Sequence, residues 1–132
     1  MSLVIDMRER TSDEGVISVA GLEIRPDDRL ALAGGRTLPL STRELALLTV
    51  LARSEGRIVS REDLYAAVWG APLRATDRSV DVYVHKLRSK LAGALPGWRF
   101  IHTHFGYGYR LAPEPPAVER PRPRTIKRER IT

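Results

Sequence analysis

Residues 77–91 read DRSVDVYVHKLRSKL, and this stretch decides the fold. At about 3.6 residues per turn, its large apolar side chains fall within one narrow arc, namely Val80, Val84, Leu87 and Leu91. The opposite arc carries mainly basic and small polar side chains, namely Arg78, Ser79, Val82, His85, Lys86, Ser89 and Lys90. The spacing predicts a helix that begins near Asp77, whose carboxylate can cap it, with one face in a core and a basic face outside.

Two shorter helices are predicted before this one. The sequence STRE at 41–44 has the capping-box pattern, and the apolar spacing after it predicts a helix that Gly56 ends. Ser60 begins a second helix in the same way, and Gly70 ends it. Residues 70–76 contain a proline and no periodicity, so they form a loop between the second and third helices.

Short alternating apolar runs flank the three helices. Between residues 16 and 40, turn signals separate four such runs, which predicts a four-stranded antiparallel sheet. Residues 99–111 hold two more runs around the turn at 104–107, which predicts a hairpin with an exposed tip. Four strands, three helices and a hairpin in this order indicate an α+β fold of the winged helix-turn-helix kind.

Both ends of the chain lack periodicity. Residues 1–14 are polar, so we expect a disordered lead or the remnant of a linker. In residues 112–132, five prolines alternate with six basic and three acidic residues, which predicts a disordered basic tail. The domain is therefore expected to span 15–111, and the tail carries half of the formal net charge of +6.

The composition limits the classes of function. The chain has 132 residues, no cysteine and no apolar run of bilayer length, and its first residues become charged too early for a signal peptide. We therefore expect a cytoplasmic protein without disulfides or a membrane association. No acid–base pair, activated nucleophile or phosphate-cradling loop stands out, so neither an enzyme, nor a small-molecule substrate, nor a cofactor is expected.

Three histidines invite a metal-site hypothesis. His102 and His104 alternate onto one face of a predicted strand, and His85 lies on the third helix. Because no carboxylate or cysteine stands at ligand spacing, we favour contacts within the hairpin or with phosphates, and expect no metal.

The basic face of the third helix suits double-stranded DNA. The major groove admits one α-helix, phosphates on either side attract Arg and Lys, and base edges need short side chains near the helix axis. On the wheel, we expect base reading by Arg78, Ser79, Val82 and Lys86. Val82 suits a thymine methyl group, and Lys86 suits guanine acceptors.

Six short motifs occur in order along residues 16–111. They are LSxxE at 40–44, GxxVSRxxL at 56–64, VWG at 68–70, RSVDV at 78–82, LRxKL at 87–91 and GxGYRL at 106–111. In order and spacing they resemble the OmpR/PhoB-type effector domain of bacterial response regulators. The resemblance implies a winged-helix transcription regulator of a two-component system, which binds direct-repeat or palindromic half-sites as a homodimer.

The resemblance also implies a set of DNA-facing residues. They are Arg78, Ser79, Val82, Tyr83, Lys86 and Arg88 in the recognition helix at 77–91, with Thr103 and Phe105 in the hairpin. The helical wheel places Tyr83 and Arg88 nearer the flanks, where contacts with phosphates are favoured over contacts with bases. In the resembled family the loop before this helix can touch RNA polymerase, which points to exposed Leu73 and Arg74 here.

The hairpin departs from the resembled family. Its members commonly have Thr-Val-Arg-Gly, whereas residues 103–106 are Thr-His-Phe-Gly, so Phe105 replaces an arginine that enters the minor groove. His104 or Arg99 could compensate, or Phe105 could pack on sugars or a neighbour, or wedge between base steps. Packing is preferred because a wedge costs a few kcal/mol per unstacked step.

Two questions about the wider protein stay open. The resembled effector domains usually follow a phospho-acceptor receiver domain, so these residues are either a piece cut in the linker of a longer protein or a stand-alone regulator. A winged helix can also be a protein–protein interaction module that contacts the transcription machinery. DNA binding weakens steeply with salt, which separates the two functions.

Overall fold

The computed structural model describes residues 15–117, which form three α-helices, a short 3-10 helix (Pro26–Asp28) and two sheets. The first sheet contains β1 (Ile17–Val19), β2 (Leu22–Arg25), β3 (Leu30–Ala33) and β4 (Arg36–Thr37) in that order. The helices are α1 (Thr42–Arg53), α2 (Arg61–Trp69) and α3 (Ser79–Ala94). The second sheet contains β5 (Ile58–Val59), β6 (Arg99–His104) and β7 (Gly108–Glu114), with β7 in the centre. The predicted α+β winged-helix fold is confirmed.

The first sheet packs one face on the helices. Leu22 and Ile24 of β2 are buried and alternate with half-buried Glu23 and Arg25, as a strand with one covered face requires. Antiparallel pairing sets Ile24 opposite Ala31 of β3, which is also buried. These short strands therefore form one wall of the core, and their tight turns keep them in the meander order that the sequence predicts.

The predicted starts of α1 and α2 are confirmed. The Ser41 hydroxyl accepts the Glu44 N–H at 3.2 Å, and the Glu44 carboxylate accepts the Ser41 N–H at 2.8 Å, which completes a capping box. Ser60 accepts the Asp63 N–H at 3.0 Å and begins α2. Gly70 ends α2 with a left-handed φ of 74°, whereas α1 already ends at Arg53, before Gly56.

The third helix is shifted from the predicted bounds of 77–91. Its first residue is Ser79, because Asp77 stays outside the helix and accepts the Ser79 N–H at 2.7 Å on its carboxylate. These bonds from Ser79 hold the pKa of Asp77 below its usual value. At the other end the helix continues through Gly93, whose φ is not left-handed, and stops at Leu95 before Pro96. Gly93 therefore does not end α3 in the way that Gly70, with its left-handed φ, ends α2.

The second sheet contains a strand that the sequence analysis missed. Residues 58–59 pair with Arg110 and Tyr109 of β7, so the hairpin becomes a three-stranded sheet joined to the turn between α1 and α2. Gly108 makes this approach possible, since a Cβ at its φ of 147° would lie 2.1 Å from the Val59 carbonyl oxygen. A two-residue strand has too little pattern to be recognised from sequence.

The predicted end of the domain at residue 111 also needs correction. The strand β7 continues through Ala112 and Pro113 to Glu114, where a tail without regular structure was expected. The pairing register shifts between Arg99 and Ile101, opposite this segment, and an irregular position tolerates a proline that lacks an N–H. Residues 1–14 and 118–132, which include most of the predicted lead and tail, lie outside the described residues.

The core lies between the two sheets and the three helices. Leu47, Leu48 and Leu51 of α1 are fully buried, and Leu87 of α3 and Leu111 of β7 join them. The predicted core face of α3 is confirmed, because Val80, Val84 and Leu91 are also buried. Burial of this stripe fixes which side of α3 remains free.

Candidate nucleic-acid interface

The face of α3 that points away from the core is open to solvent. Arg78, Val82, His85, Lys86 and Ser89 are exposed, and Ser79 is half-buried at the first turn. Val82 is 47% exposed, which is unusual for an apolar residue on a packed helix. The face thus combines two exposed cations, an exposed methyl surface and short polar groups over about three turns.

Asp81 joins three elements at the start of α3. The Arg61 guanidinium of α2 donates to both Asp81 carboxylate oxygens at 3.2 and 3.1 Å, and the Tyr109 hydroxyl of β7 donates to Oδ1 at 2.5 Å. Arg61 also donates to the Asp77 carbonyl at 3.2 Å, and Arg78 lies 3.7 Å from Asp81. The network fixes α2 and β7 against α3.

The network changes the pKa of two of its members, Asp81 and Tyr109. Burial of the Asp81 carboxyl opposes its ionisation, but the hydrogen bonds from Tyr109 and Arg61 outweigh burial and lower the pKa of Asp81. Burial and the Asp81 carboxylate together raise the pKa of Tyr109 to about 12. The carboxylate therefore stays charged and the phenol stays a donor throughout the neutral pH range.

Arg88 and Thr103, both expected to face DNA, bond to each other. The Arg88 guanidinium donates to the Ile101 carbonyl at 3.1 and 2.9 Å and to the Thr103 hydroxyl at 2.7 Å. It also lies 5.6 Å from the centre of the Tyr109 ring. The structure thus gives this pair an internal role, which ties the middle of α3 to β6.

Tyr83 belongs to a row of aromatic rings between α2 and α3. Its ring meets Trp69 edge-on at 5.5 Å, and Trp69 stacks on Tyr65 at 4.9 Å. The Lys86 ammonium lies 4.8 Å from the centre of the Tyr83 ring, so Tyr83 orients the Lys86 side chain on the exposed face. Trp69 is half-buried at the edge of the core.

Lys90 was placed on the exposed face by the helical wheel, and the structure corrects this. Its ammonium donates to the Glu44 carboxylate of α1 at 2.7 Å, and Glu44 is only 3% exposed. Burial of the Glu44 carboxyl opposes ionisation, but the bonds from Lys90 and Ser41 outweigh it and lower the pKa of Glu44. The long lysine side chain reaches sideways to the neighbouring helix, which a wheel does not represent.

The loop of the hairpin presents two aromatic rings to solvent. Phe105 is 88% exposed and Tyr107 is 74% exposed, so Phe105 does not pack on a neighbour within the described chain. A cavity of about 390 Å³ separates this loop from the first turn of α3, and Arg61, Arg78 and Tyr109 contribute to its walls. Arg78, at the start of the free face of α3, is thus a wall of this cavity.

The two hairpin histidines bond inside the hairpin. The His102 ring lies 2.8 Å from the Ala112 carbonyl oxygen, and the Arg110 guanidinium donates to His104 Nε2 at 2.9 Å. The favoured sequence interpretation, contacts within the hairpin, is thus confirmed for both. Within residues 15–117 no cluster of three or more potential ligands could hold a metal ion. None of the described helices combines the length and apolarity needed to cross a membrane.

The loop between α2 and α3 contains the two residues suggested for a polymerase contact. Arg74 is exposed as expected, and its carbonyl accepts the Asp77 N–H at 3.0 Å. Leu73 was expected to be exposed, but it is half-buried. An isolated leucine in a short loop turns toward the protein because this removes apolar surface from water.

Residues 35–111 match the family described as "Transcriptional regulatory protein, C terminal". The chain belongs to this family. Its members include the OmpR/PhoB-type effector domains that the six sequence motifs resemble, so the suspected relationship is confirmed.

The curated relatives are transcriptional regulatory proteins that are considerably longer than this chain. The chain is 39% identical over 101 residues to the transcriptional regulatory protein PrrA of Mycobacterium leprae, which covers 76% of the chain and 43% of PrrA. It is 36% identical over 101 residues to the phosphate regulon transcriptional regulatory protein PhoB of Escherichia coli, over 75% and 43% of the two chains. The chain therefore spans less than half of these relatives.

Solved structures agree with the fold. The DNA-binding domain of CpxR from E. coli matches with a TM-score of 0.69 and 34% identity over 74% of the chain and 95% of that domain. The RstA DNA-binding domain of Klebsiella pneumoniae, solved in complex with the RstA box, matches with a TM-score of 0.67 and 35% identity over 74% and 96%. Both are similar over nearly their full length.

Proposed function

We propose that this chain binds double-stranded DNA sequence-specifically as a bacterial transcription regulator, with α3 in the major groove. The observation that carries the proposal is the division of α3 into a fully buried stripe and a free basic face. Family membership and the DNA-bound RstA relative support the same function. Burial of Val80, Val84 and Leu87 holds the helix rigidly, so no loss of backbone conformational entropy accompanies its entry into a groove.

Four side chains are proposed to read bases. Arg78 and Lys86 provide free donors for guanine, Val82 offers its exposed methyl groups to thymine, and Ser79 lies beside them at the first turn. Lys86 is held by the Tyr83 ring, which limits the directions in which its ammonium can donate. We propose that Tyr83 orients Lys86 in this way and also contacts the DNA phosphate next to it.

Arg88 and Thr103 are proposed to act mainly by holding the hairpin against α3. The Arg88 guanidinium donates at least two of its N–H groups to Ile101 and Thr103, so only its remaining N–H groups can reach a phosphate. With the Asp81 network at the other end, the hairpin is fixed at two points along α3. The hairpin is thereby held in place beside the groove that α3 is proposed to occupy.

Random-site selection on duplex DNA, followed by fluorescence anisotropy on the selected site and a scrambled duplex, tests this function. Lys86→Ala and Arg78→Ala should each weaken binding to the selected site by about 1–3 kcal/mol. Arg36→Ala on β4 is the matched control, because it removes the same charge from an exposed strand beside the C-terminal end of α3, outside its free face. Unchanged affinity in both α3 variants, or an equal loss in the control, contradicts the assignment of this helix.

A contact with RNA polymerase is proposed for the loop between α2 and α3. The exposed Arg74 and the half-buried Leu73 lie beside α3 without contributing to its free face. Arg74→Ala should leave DNA affinity unchanged while it lowers activated transcription from a promoter that carries the selected site. A parallel loss of DNA affinity would place Arg74 at the duplex instead.

Homodimer formation on repeated half-sites is part of the same proposal. A selected site with two copies of one motif, spaced by about one helical turn, supports it, and a single isolated motif opposes it. The alternative function, a protein-interaction module, predicts partner binding that survives high salt and no selected DNA site.

A further inference from the structure

The loop Phe105-Gly106-Tyr107 at the end of the hairpin, here called the wing tip, holds two aromatic rings in water. Phe105 is 88% exposed and Tyr107 is 74% exposed. Neither ring stacks on an aromatic or cationic side chain within residues 15–117. The Tyr107 N–H donates to the His104 carbonyl at 2.8 Å across Gly106, whose φ is 85°. A tight turn therefore keeps both rings away from the core.

The wing tip is continuous with the proposed DNA-binding face. Both rings contribute to the cavity of about 390 Å³ that Arg78 borders at the start of α3. A duplex whose major groove holds α3 places the adjoining backbone, and the minor groove beyond it, opposite this loop. The apolar surfaces that intact DNA offers there are the C–H edges of its deoxyriboses.

We propose, on the basis of the DNA-binding function above, that Phe105 and Tyr107 pack against deoxyribose edges of the minor groove beside the site that α3 reads. The contact supplies affinity without charge at a position where the resembled family commonly has an arginine. It favours sequences whose minor-groove width matches two aromatic rings, so the wing tip selects DNA by shape.

Magnitudes favour packing on sugars over insertion between bases. Burial of a phenyl ring and the unstacking of one base step have free energies of similar size and opposite sign, so insertion would leave little net gain. Packing on the groove edges leaves the bases stacked, so no unstacking cost offsets the gain from the ring surface that is covered. Removal of the Phe105 ring should then raise Kd by about 10-fold to 100-fold.

Salt dependence separates an apolar contact from an ionic one. Each phosphate that a cation neutralises contributes about 0.9 to the slope of log K against log salt, and a phenyl ring contributes nothing. Phe105→Ala should therefore weaken binding at every salt concentration and leave the slope unchanged. Phe105→Arg should increase the slope by about 0.9, and Phe105→Leu should retain part of the affinity.

The test is a salt series of anisotropy titrations on the selected duplex, with the full chain and these variants. Ile58→Ala is the control, since Ile58 is also an exposed apolar residue but lies on β5 outside the wing tip, and it should bind as the wild type does. Thermal unfolding of Phe105→Ala should match the wild type, because the ring makes little contact with the protein. A duplex with 2-aminopurine at steps beside the selected site should show no binding-induced increase in fluorescence.

Four outcomes overturn the proposal. Wild-type affinity in Phe105→Ala, or a changed salt slope in that variant, would show that Phe105 makes no apolar contact with the DNA. A 2-aminopurine increase that Phe105→Ala abolishes means insertion between bases. Absence of site-specific binding by the wild-type chain overturns both the DNA-binding function and the wing contact, whereas the first three outcomes leave the function intact.

Discussion

Replacement of Asp81 by alanine should destabilise the domain and loosen the hairpin from α3. The carboxylate accepts bonds from Arg61 and Tyr109, and it lies in the first turn of α3, where negative charge is favourable. In Asp81→Ala the Tyr109 hydroxyl stays buried without this acceptor, which costs about 1–3 kcal/mol. The half-exposed Arg61 can turn to water, so its ion pair adds about 1 kcal/mol or less.

The expected total for Asp81→Ala is therefore about 2–3 kcal/mol, with a drop in Tm on the order of 10 °C for a domain of this size. Tyr109→Phe removes one bond to a charged acceptor and should cost about 1–2 kcal/mol. In the double variant no unpaired hydroxyl remains, so it should be no less stable than Asp81→Ala alone. The coupling free energy should be at least about 1 kcal/mol.

Urea denaturation followed by circular dichroism measures all four proteins of this cycle. Additive losses, with a coupling free energy near zero, would mean that the two side chains stabilise the fold independently, which excludes the proposed bond between them as the cause. A loss in Asp81→Ala no larger than in the exposed-pair variant Arg99→Ala would exclude it as well. The Arg99 ion pair with Glu114 is long, at 3.7 Å, and both side chains are exposed.

The remaining predictions concern other contacts of the same framework. Ionised Glu44 should stabilise the fold fully above its ordinary pKa of 4.5 and lose this effect as the pH falls through the lowered value, and Glu44→Gln should flatten that part of a pH–stability profile. Gly108→Ala should cost at least about 2 kcal/mol in urea denaturation, because its Cβ would collide with the Val59 carbonyl. Gly106→Ala, which meets open space at a similarly left-handed φ, should cost only about 1 kcal/mol and serves as its control. Arg88→Ala should cost about 1–2 kcal/mol and speed hydrogen exchange of β6 amides, and Arg88→Lys should not restore protection, since an ammonium lacks the planar fork.

Local signals were sufficient for most of the fold. The capping pattern at Ser41 and the buried stripe of α3 each depend on residues within a few positions of one another, so the sequence determined them directly. The predictions failed where a distant residue decides the outcome. The strand β5 forms because Gly108 allows β7 to approach Val59. No pattern within residues 58–59 alone predicts this strand.

The candidate site divides in the same way. The exposed positions Arg78, Val82 and Lys86 follow from helical periodicity alone. By contrast, Lys90 does not extend from the exposed face, because it donates to the Glu44 carboxylate on α1. Arg61 contributes to the interface because it binds Asp81, which lies 20 positions further along the chain. Long charged side chains choose partners by tertiary geometry, which a single helix does not contain.

Lys86 on α3 is proposed to read a base in the major groove. A comparison of wild type and Lys86→Ala on the selected duplex, and on a panel with every single base-pair substitution, tests this directly. Wild type should discriminate by about 1–3 kcal/mol at each contacted pair, and Lys86→Ala should lose this discrimination at one pair while it keeps the others. A uniform loss of affinity across the whole panel would instead mean that Lys86 contacts only phosphate.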